Sequence, residues 1–146
     1  MVETGPLVPL VPALAVSLTA DQAVKGVLLG RAGQRALVSR SGLLAIRPRL
    51  SGRTFAGRIG VGPAGLLVAW SLCLLAALLL APRAGLFGGA LAQAALGVAF
   101  GGAAGNLADL LRRGRVVDYL EVGPWPAFNL ADVAIVSGVI GALIAR

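Results

Sequence analysis

The sequence predicts an all-α integral membrane protein. It reads as a single domain of four transmembrane helices, with a small irregular or β-hairpin segment between the first two. Three observations predict this. The chain of 146 residues is 58% hydrophobic and only 13% charged, a balance foreign to ordinary soluble domains. Its mean hydropathy is +0.88. Its apolar residues fall into four windows of roughly 20 residues, the length a helix needs to cross a bilayer. Backbone N–H and C=O groups in hydrocarbon must pair within their own segment, so the windows are helices rather than open strands.

The first window covers about 7–29. The stretch MVETGPLVPLVPALAVSL carries Glu3 where a cleaved leader has a positive charge, and no small-x-small cleavage site follows. It reads as a retained helix. The segment 31–58 then holds seven arginines and no acid. Within it, RALVS and LLAIR flank Arg40, Ser41 and Gly42, a hairpin signal. The second window, about 59–81, stops at Pro82 and Arg83. The third, about 85–107, carries glycines at 85, 89, 97, 101 and 105 with Gln93 in the gap. Small residues at i+4 spacing let helices approach closely. The connection 108–127 contains Gly114, Gly123, Pro124 and Pro126. The last window, about 128–144, is short but sufficient for an untilted crossing or a thin bilayer.

Composition removes several function classes. There is no histidine, and Cys73 is alone in the run WSLCLLAALLLA. Zinc lacks its usual ligands, disulfides are impossible within one chain, and the thiol reads as a buried apolar residue. The net charge is +7, and twelve of the thirteen basic residues are arginine. These arginines sit between apolar windows, so the anionic partner they suit is a lipid headgroup rather than nucleic acid.

The acids are concentrated. Of six in the chain, four lie within 105–136, which reads GNLADLLRRGRVVDYLEVGPWPAFNLADVAIV. The word NLAD occurs at 106–109 and again at 129–132, with VVDY between the copies. Four crossings bring the end of the first window, the end of the third and the start of the last to one membrane face. Asp21, Lys25, Asn106, Asp109, Asp118, Asn129 and Asp132 therefore gather there. Carboxylates at membrane depth are costly and mark function by default. The plainer reading is local: Asp21 pairs with Lys25 at i+4, and Asp109 bonds the backbone or nearby arginines. Two close carboxylates do not both ionise cheaply and share a proton, so one can activate water while the other protonates a leaving group. That is aspartic peptidase chemistry. The residues alone leave the pair open, and the repeat suggests Asp109 with Asp132.

The stretch GGAAGNLADLLRRGRVVDYLEVGPWPAFNLADVAI is similar to the lipoprotein signal peptidase family, signal peptidase II. The family has a Gly-Asn-x-x-Asp segment, then Val-Val-Asp, then Phe-Asn-x-Ala-Asp. LTADQAVK at 18–25 resembles the family's Asp-Gln-x-x-Lys on its first helix. The resemblance implies that Asp118 and Asp132 form the catalytic dyad. It implies that Asn106, Asp109, Asn129, Asp21 and Lys25 support it or bind substrate. The implied reaction is hydrolysis of a prolipoprotein just before its diacylglyceryl-modified cysteine. The implied partners are lipid-modified precursor proteins and membrane lipids, with no metal, organic cofactor or nucleic acid.

The chain departs from the family pattern twice. The family has Arg directly after the first of these acids; here Leu110 follows Asp109, with Arg112 and Arg113 close by. The family's Asn-x-Gly-x-Ala-Phe element is missing, and the nearest stretch, 51–55, reads SGRTF. A non-catalytic paralogue that binds lipidated peptides is the alternative these departures suggest. A small ion-coupled transporter ranks last, because the second window and the rest of the fourth carry almost no polar groups. The arginine distribution would place the cluster in the cytoplasm by the positive-inside rule. The family resemblance implies a bacterial cell membrane with the site at the outer face, and that expectation is preferred.

Overall fold

The computed structural model describes residues 9–30, 37–38, 44–50, 62–80 and 89–145. The chain is mostly helical. Helix α1 spans Leu10–Gly30, α2 Pro63–Leu80, α3 Ala90–Arg113 and α4 Leu130–Ile144. Strands β1 (Leu37–Val38), β2 (Leu44–Leu50) and β3 (Val117–Val122) form one antiparallel sheet in the order β1-β2-β3. Among the described residues, α1 and α3 are long and apolar enough to cross a membrane, and α2 and α4 are shorter apolar helices. The expected turn at Arg40, Ser41 and Gly42, the 51–55 segment, Pro82, Arg83 and Gly85 lie outside the described residues.

Helix α3 is the centre of the bundle, packed between α1 and α4 with α2 on its flank. Its small residues permit this. A Cβ on Gly97 or Gly101 would strike the α1 carbonyls of Leu10 or Leu14, so the predicted stripe meets α1 backbone directly. On the flank, the Trp70 indole donates to the Phe100 carbonyl at 3.1 Å, and the two rings meet edge to face. Cys73 is exposed rather than buried. Within the bundle α2 leans mainly on α3, so much of its surface faces outward.

The third helix runs six residues past the expected end at 107 and stops where Gly114 turns left-handed, with φ 70° and its N–H on the Leu110 carbonyl. The following connection is not irregular. It contains β3, which pairs with β2 so that Arg49 opposes Asp118. A bend at 123–126 then returns the chain, and Phe128 exchanges backbone bonds with Leu120.

The described interior combines mostly small apolar side chains with fully buried charged ones. Of the six largest fully buried side chains among the described residues, four are Lys25, Asn129, Asp21 and Asp109. Outside are Leu72, Leu75, Val136 and Ile140, each about half exposed or more. Soluble domains seldom bury Lys or Asp completely unless paired.

Candidate active site

Four of the five buried polar side chains among the described residues, Asp21, Lys25, Asp109 and Asn129, belong to one connected cluster at the end of the bundle where α1 and α3 finish and α4 begins; the fifth, Gln93, lies near the start of α3. The cluster's anchor is Lys25 of α1. The ammonium has three protons and meets three oxygens: Asp21 Oδ2 at 2.7 Å, Asp109 Oδ2 at 2.8 Å and Asn106 Oδ1 at 3.1 Å. Asp109 also takes the guanidinium of Arg113 on Oδ1 and the Val117 N–H, at 3.2 Å, on Oδ2. Gln22 Nε2 bridges Asp21 and Asp109 and bonds the Gly105 carbonyl. A Cβ on Gly105 would collide with the Asp21 carboxylate, so glycine there admits α1 to the cluster. An isolated buried charge is costly, and these are stable because they are paired and hydrogen-bonded.

The start of α4 is fastened by side chains from three elements. The first N–H groups of a helix lack internal partners. Leu130 N–H donates to the Tyr119 hydroxyl of β3 at 3.1 Å, and Ala131 N–H to Asp21 Oδ1 of α1 at 3.1 Å. Asp132 N–H donates to the Asn129 side chain at 2.9 Å, and the Asn129 N–H returns a bond to Asp132 Oδ2 at 3.0 Å. Asn129 and Asp132 are thus the two ends of a capping box. Burial raises the Tyr119 pKa; its bond from Leu130 opposes this, and the charges of Asp21 and Asp132 add to the rise.

Two asparagines carry the cluster from the ion pairs to the remaining acids. Asn106 Nδ2 donates to Asp132 Oδ1 at 2.8 Å. Asn129 Nδ2 lies within bonding distance of Asn106 Oδ1 (2.9 Å), Asp118 Oδ1 (3.0 Å) and the Val117 carbonyl (3.2 Å). Asn129 therefore touches Asp118 through its amide nitrogen and Asp132 through its amide oxygen and backbone. Asp21, Lys25, Asp109 and Asn129 are fully buried, whereas Asp118 and Asp132 are partly accessible.

All seven residues singled out in the sequence meet here. The two NLAD words play different parts. The first lies inside α3, sending Asn106 toward Asp132 and Asp109 toward Lys25; the second is a helix cap. Of the two arginines near Asp109, it is Arg113, one turn on, that pairs with it. Sequence reasoning missed Gln22 and Tyr119 as members. Their signals were adjacency: Gln22 follows Asp21, and Tyr119 follows Asp118 in VVDY.

A family model described as "Signal peptidase (SPase) II" matches residues 13–146, nearly the whole chain. The chain belongs to the signal peptidase II family. Among curated relatives, the lipoprotein signal peptidase of Pelotomaculum thermopropionicum is 65% identical over 43 residues, 30% of this chain and 28% of the relative. That of Moorella thermoacetica is 58% identical over 50 residues, 34% of this chain and 33% of the relative. The matched stretch thus spans about a third or less of those relatives. A solved structure described as a bacterial membrane enzyme, obtained by the in meso method at 2.3 Å, superposes with a TM-score of 0.69 at 25% identity. The superposition covers 91% of this chain and 84% of that one. A second bacterial membrane enzyme, at 22% identity and TM-score 0.68, shares the fold.

Proposed function

We propose that this protein is a membrane-embedded aspartic endopeptidase that removes the signal peptide from lipid-modified prolipoproteins, with Asp118 and Asp132 as its dyad. The observation that carries this reading is the double engagement of Asn129 with Asp118 and Asp132. One rigid, fully buried side chain holds the two partly accessible acids of the cluster, while the other two acids are committed to Lys25 and Arg113. Family membership supports the substrate class. The buried ion pairs and the exposed apolar exterior support four helices crossing the membrane, because buried charges inside an apolar shell suit a bilayer.

Asp132 acts as the base. Both its oxygens accept N–H bonds, and it lies in the first turn of α4, where the helix dipole favours an anion. Asp118 carries the shared proton. Asp132 removes a proton from water as its oxygen adds to the scissile carbonyl, while Asp118 gives its proton to the carbonyl oxygen. On collapse, the proton held by Asp132 passes to the leaving nitrogen, and the carbonyl oxygen returns one to Asp118. Both acids regain their starting states, and water has been split across the peptide bond. No cofactor is needed for this sequence of transfers. The site faces the outer side of a bacterial cell membrane, where translocated precursors arrive.

The test is cleavage of a diacylglyceryl-modified precursor by the purified protein, with product masses read directly. A cut just before the modified cysteine is expected. Binding without cleavage by the wild-type chain would assign it instead to a non-catalytic role.

A further inference from the structure

The bend between β3 and α4 exposes an apolar surface with no charge on it. Residues 122–126 read VGPWP, all are exposed, and Trp125 is 73% exposed. The bend is stiff. Trp125 N–H bonds the Val122 carbonyl, Gly123 sits at φ 51°, prolines flank the tryptophan, and Phe128 closes the ladder to Leu120. A rigid tip holding a large aromatic in the open needs a surface to meet.

The helix lengths say which surface. Helix α4 has 15 residues, about 22 Å at 1.5 Å each, against a hydrocarbon core about 30 Å thick. If its far end reaches one boundary, its polar start lies several ångströms short of the other. Helix α3 gives the same depth independently. Asn106 touches Asp132, and Arg113 lies seven residues further along the same helix, about 10 Å on. Arg112, Arg113 and Arg115 are all exposed there, as headgroup-level cations are. Arg47 and Arg49 of β2 are also exposed and reach Glu121, the residue before the tip. The tip, which begins one residue after Glu121, thus lies beside the layer the arginines mark. Tryptophan is enriched in that layer because its ring is apolar and its N–H is polar.

We propose that the 122–126 tip is an interfacial anchor: Trp125 rests in the phospholipid headgroup layer and holds Asp118 and Asp132 beneath it. This rests on the membrane reading given above. The anchor compensates for a short fourth helix and fixes the depth at which a peptide bond meets the dyad.

The chain has only two tryptophans, Trp70 and Trp125, so the test can be made by fluorescence. A Trp70→Phe chain reports Trp125, and a Trp125→Phe chain reports Trp70, near the middle of α2. Each full-length chain is placed in phosphatidylcholine–phosphatidylglycerol vesicles. Quenching lipids carry a spin label at the headgroup or deep on the acyl chain, and iodide probes the water. Trp125 should be quenched more by the headgroup label than by the deep one, and little by iodide. Trp70 should show the opposite preference between the two lipid labels. Should Trp70→Phe fail to insert, the signal lost from the wild-type chain on Trp125→Phe gives the same Trp125 response. A Trp125 quenched by iodide but by neither lipid, with Trp70 still quenched by the deep label, would overturn the anchor and leave the membrane reading intact. A Trp70 insensitive to every lipid label would remove the membrane reading and the anchor together. Lipid quenching of Trp125 that appears only after a lipid-modified precursor is added would assign the tip to substrate, and also overturns the anchor.

Discussion

Asn106 donates its Nδ2 to Asp132 Oδ1 at 2.8 Å, a bond from the first NLAD word to the second. The same asparagine accepts Lys25 Nζ on its oxygen. The lysine fixes which way the amide points, because only the oxygen can face an ammonium. The nitrogen is left to face the carboxylate. An ion cluster buried in one part of the bundle thereby orients a carboxylate in another.

On the proposed mechanism, Asp118→Asn and Asp132→Asn each remove one proton carrier. Each should lower cleavage by about 10²–10⁴-fold or more while the chain stays folded in the membrane. Asn129 Nδ2 can still donate to an amide oxygen at position 118, and Asn106 Nδ2 or the Asn129 backbone N–H to one at position 132. Single-turnover cleavage on protein verified as folded checks this. Near-wild-type turnover in either variant would remove that acid from the dyad.

Asp109→Asn should behave differently. Asp109 is fully buried and pairs with both Lys25 and Arg113. Breaking a buried pair from one side costs about 3–5 kcal/mol. The expected result is less folded protein and a lower unfolding midpoint, with activity per folded molecule closer to wild type than for Asp118→Asn. Thermal unfolding and active-fraction measurements separate the two effects. An inactive but fully stable Asp109→Asn beside an active Asp118→Asn would move the dyad to the pair the repeat first suggested.

The helices were legible because each is a long apolar run. Their ends were less so. The third passed its expected stop because LADLLRR continues as a good helix until Gly114 ends it. Strand β3 was obscured by the glycines and prolines around it. Its partner, β2, lies about 70 residues earlier in the chain, and no local pattern announces so distant a pairing. At the site, the polar residues were visible as rare events in an apolar chain. Their division of labour was not. Identical words gave a mid-helix pair and a helix cap, and that difference depends on where the backbone breaks before Leu130. Tyr119 was passed over because a tyrosine beside an acid reads as ordinary strand sequence until its hydroxyl meets Leu130 N–H.

Tyr119 offers a pH test. Burial favours the neutral phenol, so the folded chain holds this proton more tightly than the unfolded chain does. Its contribution to stability is complete below the ordinary tyrosine value of about 10 and is lost as pH rises through the higher folded-state value. It is the only tyrosine, so tyrosinate absorbance reports it alone. A midpoint at or below that of free tyrosine would contradict the burial. Tyr119→Phe leaves the Leu130 N–H without its acceptor and should cost about 1–3 kcal/mol, read as a lower unfolding midpoint.

Orientation is the prediction on which the substrate assignment turns. On the proposed reading, four crossings put both termini on one side, taken as the cytoplasm, and the 31–58 and 114–129 connections outside. The arginines oppose this. Seven lie in 31–58, and three more at 112, 113 and 115; positive-inside statistics would keep such segments in the cytoplasm. Among the described residues, Arg47 and Arg49 are committed to Glu121 and Arg113 to Asp109, which weakens but does not remove the bias. The proposed substrates have already crossed the membrane, so the proposed function requires an outward site. Single cysteines placed as Ser41→Cys and Arg115→Cys in a Cys73→Ala chain decide the matter. A membrane-impermeant thiol reagent on intact cells should label both. Labelling only after permeabilisation would leave Asp118 and Asp132 facing the wrong compartment, and prolipoprotein cleavage could not then be their reaction.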